Sequence, residues 1–268
     1  MDSLKDLKII LRGAGDLATG VALRLHRSGF RCLLLLETAH PLAVRRMVSF
    51  SEAINLGKVC VEGVTARRID EMGRANEWLP DDEIPVVIDP EGKSIQTLQP
   101  DIVIDAIIAK RNTGTNINDA ELVIGLGPGF TAGRDVNCVI ETMRGHGLGR
   151  VIYDGYATPD TGIPGNIGGY THERLLRAPG AGMFKTDYNI GDSVNRGDCV
   201  ATVDSAPVYA DLSGVLRGLL RSATPVEQGT KLGDIDPRSK TAFCRTASDK
   251  AMAIGGGVLE AMLRHFNN

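Results

Sequence analysis

The chain has 268 residues, enough for one large domain or two ordinary ones at the ~150 residues typical of a domain, which excludes a small fold held by staples. Hydrophobic residues make up 43% and charged residues 24%, the balance of a chain with a buried core, so disorder as the main state is excluded. With 30 Lys and Arg against 33 Asp and Glu, the net charge of −3 supplies no field that would hold a polyanion, and nucleic acid is not an expected partner.

In chain order, Ile9-Ile10-Leu11 predicts a short buried strand that runs into Arg12-Gly13-Ala14-Gly15-Asp16-Leu17-Ala18-Thr19-Gly20. Leu17, Val21 and Leu25 then recur every four residues as the stripe of a helix ending at Gly29. A second strand over 31–36 places Glu37 at its carboxyl end. Gly13, Gly15 and Ala18 fit G-x-G-x-x-A, with the acid Glu37 at about the distance of a dinucleotide fingerprint. In that reading Gly13 makes the turn, Gly15 lets the backbone approach a pyrophosphate, and Ala18 keeps helix and sheet close. The helix N-terminus offers N–H groups to phosphates, and Glu37 binds an adenosine ribose, favouring NAD. Gly13, Ala14, Gly15, Asp16, Leu17 and Glu37 are therefore candidate cofactor-binding residues. A scaffold of the same shape with an empty crevice is the alternative, and the Asp16 carboxylate competes with phosphate for the helix N–H groups.

Further strands are predicted at Val59-Cys60-Val61, Val86-Val87-Ile88, Ile102-Val103-Ile104 and Leu122-Val123-Ile124, separated by helix-like or loop segments such as Thr65 to Glu77. Continuous apolar runs imply strands buried on both faces, so the expected class is α/β, a Rossmann-like doubly wound and mostly parallel sheet. In such sheets ligands sit beyond the carboxyl ends of the strands. The loops to inspect are Arg45-Arg46 with Ser49 and Ser51, Lys110-Arg111-Asn112-Thr113, and Gly125 to Gly129 with Asp135. Lys110, Arg111 and Asn112 form either an anion clamp or a solvated charge pair. Gly127 and Gly129, ahead of a helix expected near 133–135, make a second anion nest or a plain turn. Lys110 is the one catalytic candidate, a proton donor whose pKa burial would lower. His146 and His172 are isolated, no G-x-S-x-G, HExxH or P-loop motif occurs, and no metal site is expected.

Five well-separated cysteines without a CxxC pair, and a start that is no signal peptide, lead to the expectation of a reducing cytoplasm and no membrane. Cys138, expected in a helix, either handles selenium or is a buried structural thiol.

Between 178 and 237 the chain matches itself at an offset of 32 residues: Gly182 with Gly214, Val194 with Val226, Gly197 with Gly229, Val200 with Leu232 and Val203 with Ile235. The phrase Ile190 to Val203 resembles the hammerhead of biotinyl and lipoyl domains, which implies a smaller all-β barrel-sandwich hybrid. The hairpin Asp204-Ser205-Ala206-Pro207-Val208-Tyr209 lacks the carrier lysine, so no covalent biotin or lipoate is expected. From Ser248, an N-cap candidate, a helix with Ala251, Ile254, Val258 and Met262 on one face is predicted. Its Gly255-Gly256-Gly257 run costs about 1 kcal/mol per residue relative to alanine, which implies close packing on another backbone. The expected domains are residues 1–177, 178–238 and a C-terminal helix in 239–268 that packs on the first.

The Gly13 motif, Ala43 to Ala53, Gly125-Leu126-Gly127-Pro128-Gly129-Phe130, Val139 to His146 and Ser248-Asp249-Lys250-Ala251 together resemble the YqeB family of selenium-dependent molybdenum hydroxylase system proteins. The likeness spans essentially the whole chain. It implies an accessory role in maturation, near XdhC-type factors, with a molybdenum hydroxylase or its maturation factors as partner. A molybdenum-cofactor nucleotide or NAD would be the bound species. A stand-alone NAD-dependent oxidoreductase is the alternative, and self-association is left open.

Overall fold

The computed structural model describes residues 4–70 and 83–267. The chain divides into two compact units, one comprising Met1–Pro41, Ser49–Thr161 and Ala247–Asn268, the other Leu42–Val48 and Gly162–Thr246.

In chain order the first unit contains β1 (Ile9–Arg12), α1 (Asp16–Arg27), β2 (Leu33–Glu37), α2 (Glu52–Leu56), β3 (Lys58–Val61), β4 (Val64–Ile69) and β5 (Glu83–Ile88). There follow α3 (Lys93–Leu98), β6 (Ile102–Asp105), β7 (Leu122–Leu126), β8 (Thr131–Ala132), β9 (Cys138–Ile140), β10 (Val151–Ile152), β11 (Gly155–Tyr156) and, from the chain end, α4 (Asp249–Phe266). Nine of the strands form one sheet in the order β10-β9-β7-β6-β1-β2-β5-β4-β3, while β8 and β11 pair separately. Its interior is parallel from β4 to β9, and the edges β3 and β10 run antiparallel to their neighbours. Ile9, Ile10 and Leu11 of β1 and all of β6 and β7 are buried, as continuous apolar runs require.

The expected Rossmann-like doubly wound class is corrected by this arrangement. The sheet is mixed, and among the described residues only the helices α1, with 12 residues, and α4, with 18, exceed six residues in length. Between β6 and β7 the side chains satisfy the backbone and displace a helix: Asn112 Oδ1 accepts from the N–H groups of Gly114 and Thr115, and Asn116 Oδ1 from that of Asn118. Between β7 and β9, Gly127, Gly129 and Gly133 all adopt positive φ, and Asp135 accepts from the Thr131 N–H, so the helix expected near 133–135 is a series of turns. Thr65 to Ile69, expected to be helix-like or loop, lie in β4, and positions 71–77 of that expectation lie outside the described residues.

The helix α4 packs on α1 inside this unit. A Cβ at Gly20 would stand 2.5 Å from that of Ala251, and one at Gly255 would stand 3.0 Å from the Gly20 carbonyl, so the two backbones touch where glycine permits it. Ser248 caps α4 through its Oγ, which accepts from the Ala251 N–H at 3.1 Å.

The second unit contains β12 (Leu175–Arg177), β13 (Gly182–Lys185), β14 (Ser193–Val194), β15 (Cys199–Val203), β16 (Ala206–Tyr209), β17 (Gly214–Leu219), β18 (Thr224–Val226) and β19 (Lys231–Asp236). They make two antiparallel sheets of four, β12-β19-β17-β14 and β16-β15-β13-β18. The repeat is visible in the pairing. β14 of the first copy pairs with β17 of the second, and β18 of the second with β13 of the first, around a core that includes Phe184, Leu216, Leu232 and Ile235. The class of the whole chain is thus a large mixed sheet with small antiparallel sheets, in place of a doubly wound sheet with a hybrid barrel. The unit begins before residue 178 because β12 pairs with β19 and the buried Arg174 binds Asp234 at 2.6 Å and the Gly165 carbonyl at 3.0 Å.

Candidate functional site

Beyond the carboxyl ends of β1, β6 and β7, the loop 106–111 is held between two glycine turns. A Cβ on Gly13 (φ +101°) would stand 3.0 Å from the Ala106 carbonyl oxygen, and one on Gly129 (φ +112°) 2.6 Å from the Arg111 nitrogen. Only glycine allows both approaches. Within the loop Ile108 and Lys110 have φ of +59° and +62°, the left-handed region that a β-branched residue rarely enters. Such strain persists where the surroundings over-determine the backbone, and it is concentrated at functional sites.

The sequence-predicted residues divide by what they are bonded to. The Gly13 N–H is spent on the Leu36 carbonyl at 2.7 Å, the Ala14 N–H on Glu37 Oε2 at 2.9 Å and the Gly127 N–H on the Ile140 carbonyl at 2.9 Å. These amides are therefore not the anion nest the motif suggests. Glu37 also accepts from the Thr38 N–H at 2.8 Å, so it braces the glycine turn; burial pushes its carboxyl above the ordinary range against those bonds. Gly15 has space above it, with nothing within 4 Å of an added Cβ, and α1 starts there without a side-chain cap. Asp16 and Leu17 stand half-buried in that open first turn.

Lys110 Nζ is ion-paired with Asp160 at 2.6 Å, both groups partly exposed. Asn112 is engaged by its own turn, with Nδ2 donating to the Thr115 carbonyl at 2.8 Å. Arg111 is exposed, and its guanidinium has no hydrogen-bond or ion-pair partner among the described residues. Arg45 and Arg46 belong to the second unit: Arg45 donates to the Phe243 carbonyl at 2.8 Å and Arg46 to that of Leu219 at 2.7 Å. Cys138 lies in β9, not in a helix, and burial pushes its thiol up to about 12, which disfavours the thiolate.

Sequence reasoning missed three features. Arg12 and Asp105, register partners on β1 and β6, are 3% and 2% exposed and form an ion pair at 3.5 Å, with the Thr115 hydroxyl donating to Asp105 at 2.6 Å. Burial raises the Asp105 carboxyl despite those partners. Glu141, after β9, accepts from the N–H groups of Met143 (2.6 Å) and Thr158 (2.8 Å) and from the Thr158 hydroxyl (2.7 Å). Burial works against its charge, but these donors outweigh it and hold the carboxyl below the ordinary range. Lys250, in the first turn of α4, stands among Arg144, Asp16, Glu141 and Asp160; burial first and Arg144 second push its ammonium below the ordinary lysine range, against the three carboxylates. No run of residues announces these groupings, because each joins positions far apart in the chain.

In the second unit, a separate concavity of about 430 Å³ is lined by Tyr170, Arg196, Asp211, Ser213 and Arg238, none of them singled out by the sequence. Among the described residues no group of His, Cys, Asp and Glu could hold a metal ion, and no helix is long and apolar enough to cross a membrane.

No family model matches the chain. Two solved structures, an aspartoacylase family protein from Mesorhizobium loti and a succinylglutamate desuccinylase/aspartoacylase from Rhodobacter sphaeroides, are each 12% identical to it. Each covers 86% of this chain and has 85% of its own length covered, at TM-scores of 0.27 and 0.26, values that carry no argument. Against curated sequences the chain is 48% identical over 255 residues, 95% of its length, to the uncharacterized protein YqeB of Escherichia coli (strain K12), and it spans about half of that relative, 47%. Over that half, the chain is similar to the YqeB-type protein at nearly every second position.

Proposed function

We propose that the chain serves the maturation of a selenium-dependent molybdenum hydroxylase by holding a small anionic ligand, such as a nucleotide-bearing molybdenum cofactor species, in the crevice beyond β1, β6 and β7. The observation that carries this reading is the loop 106–111, strained at Ile108 and Lys110 and wedged between Gly13 and Gly129, which presents the unpartnered guanidinium of Arg111. Beside it stands the uncapped first turn of α1, whose amides and positive dipole end favour an anion. A guanidinium adds bidentate recognition of a phosphate or oxyanion. The maturation role comes from the family resemblance, and the hydroxylase or its maturation factors are the partners in this proposal. NAD hydride transfer has no observation in its favour: Lys110, its proton donor, is ion-paired, and Glu37, its ribose ligand, is bonded to Ala14 and Thr38.

Calorimetric titration with inorganic phosphate, AMP and NAD tests the reading. Arg111→Ala is expected to weaken binding of the phosphate-bearing ligands by about 1.5–3 kcal/mol, the range for a charge-assisted hydrogen bond, with the melting temperature unchanged because an exposed guanidinium adds little to folding. A lowered melting temperature with unchanged binding would make Arg111 a structural residue.

A further inference from the structure

The concavity of about 430 Å³ plays no part in the proposed ligand grip, and every residue that lines it belongs to the second unit. Its volume lies in the range of small-molecule sites. Its walls are turns tied to one another. Between β14 and β15 the Arg196 N–H donates to Ser213 Oγ at 3.0 Å and the Gly197 N–H to the Ala210 carbonyl at 2.8 Å, which fastens that turn to the one between β16 and β17. In a second wall, Ile167 and Tyr170 exchange N–H bonds of 3.0 and 3.2 Å, and a Cβ on Gly168 would stand 3.1 Å from Pro237, so this turn rests on the chain leaving β19. Arg238, two residues beyond β19, is held by the buried Asp236 through bonds of 2.9 and 2.6 Å, with its guanidinium 4.5 Å from the centre of the Phe243 ring. A hollow fixed in this way loses little conformational freedom when a ligand enters.

Two charges of opposite sign on these walls are left over. The Arg196 guanidinium and the Asp211 carboxylate are exposed, form no ion pair with each other, and have no hydrogen-bond partner among the described residues. Arg238 is already neutralised by Asp236, so the lining carries one uncompensated cation and one uncompensated anion. A lone anion drawn to Arg196 would meet Asp211 in the same hollow, and a lone amine drawn to Asp211 would meet Arg196. A molecule carrying both charges satisfies both. Tyr170 adds an exposed ring, and the Ser213 hydroxyl, which accepts from Arg196, keeps its own proton to donate.

We infer that the concavity binds a small zwitterion of the amino-acid class, a free amino acid or a dipeptide, with its carboxylate on Arg196, its ammonium on Asp211 and an apolar side chain against the Tyr170 ring. A guanidinium grips a carboxylate through two parallel N–H donors, and the Asp211 carboxylate accepts from an ammonium. The Ser213 hydroxyl donates to the ligand carboxylate beside Arg196. This site does not depend on the anion crevice.

Titration calorimetry at pH 7 with phenylalanine and alanyl-phenylalanine tests it, beside two analogues that each lack one charge, 3-phenylpropanoate and phenethylamine. One zwitterion per chain is expected to bind, and each single-charge analogue about tenfold or more weakly. Arg196→Gln should weaken the zwitterions to the level of phenethylamine, and Asp211→Asn to that of 3-phenylpropanoate, with melting temperatures unchanged because both side chains are exposed. Arg111→Ala, in the crevice loop, should bind the zwitterions like the wild type, which separates this site from the crevice. The tighter of the two zwitterions tells amino acid from dipeptide. No binding of either zwitterion to the wild type, analogues that bind equally well, or full affinity in both variants overturns the inference, whatever phosphate does at the crevice.

Discussion

Replacing Gly257 by alanine is expected to destabilise the protein, and the same change at Gly256, one position earlier in α4, to stabilise it. Propensity treats the two alike: an interior helical glycine costs about 1 kcal/mol relative to alanine. The surroundings separate them. A Cβ on Gly256 would meet nothing within 4 Å, whereas one on Gly257 would overlap the Gly149 carbonyl oxygen and stand 3.0 Å from Ile140. Gly149 cannot retreat easily, because its own position is pressed on the Ala253 carbonyl, 2.7 Å from where a Cβ would be. Overpacking of backbone on backbone costs about 1–3 kcal/mol, towards the upper end for an overlap with a carbonyl oxygen, so after the propensity gain Gly257→Ala should lose up to about 2 kcal/mol and Gly256→Ala gain up to about 1. Urea unfolding followed by circular dichroism reads both as midpoint shifts at constant slope. If Gly257→Ala proves as stable as Gly256→Ala, the close seat of α4 on its neighbours is wrong.

Asp105→Ala should cost about 3–5 kcal/mol, because it leaves Arg12 buried without its carboxylate, and Arg12→Met in the same chain should restore part of the loss; denaturant titration of single and double variants checks this. The Glu141 carboxyl is held below its unfolded value, so its contribution is present above that value and is lost as pH falls through the folded one. Glu141→Gln should therefore lower stability at pH 7 and flatten the fall in stability below about pH 4.5, whereas Asp105, raised by burial, does not add to that acid-side fall. Stability curves of wild type and variant between pH 3 and 8 distinguish the two carboxyls.

The parts of the fold legible in the sequence are those dictated by local pattern. Ile9 to Leu11 lie in β1, the Leu17, Val21 and Leu25 stripe lies on α1, the runs at 102–104 and 122–124 lie in β6 and β7, and Ser248 caps α4. The doubly wound class was not legible, because the apolar runs that mark strands say nothing about what connects them. Asn112, Asn116 and the positive-φ glycines 127, 129 and 133 turn those connections into loops. The glycine motif lies at the carboxyl end of β1 as expected, but it misassigned its donors, since Gly13, Ala14 and Gly127 spend their N–H groups inside the fold. Arg111 was visible as a cation leaving a strand. Arg12 with Asp105, and Lys250 with its carboxylates, become neighbours only through the pairing of β1 with β6 and the return of α4 from the far end of the chain.

Titration of the wild type and of Arg111→Ala with inorganic phosphate and AMP is the most direct test of the crevice as an anion site. Binding to the wild type, weakened about 10- to 100-fold by Arg111→Ala at an unchanged melting temperature, is the expected result. No binding to the wild type, or equal affinity in the two proteins, would contradict it.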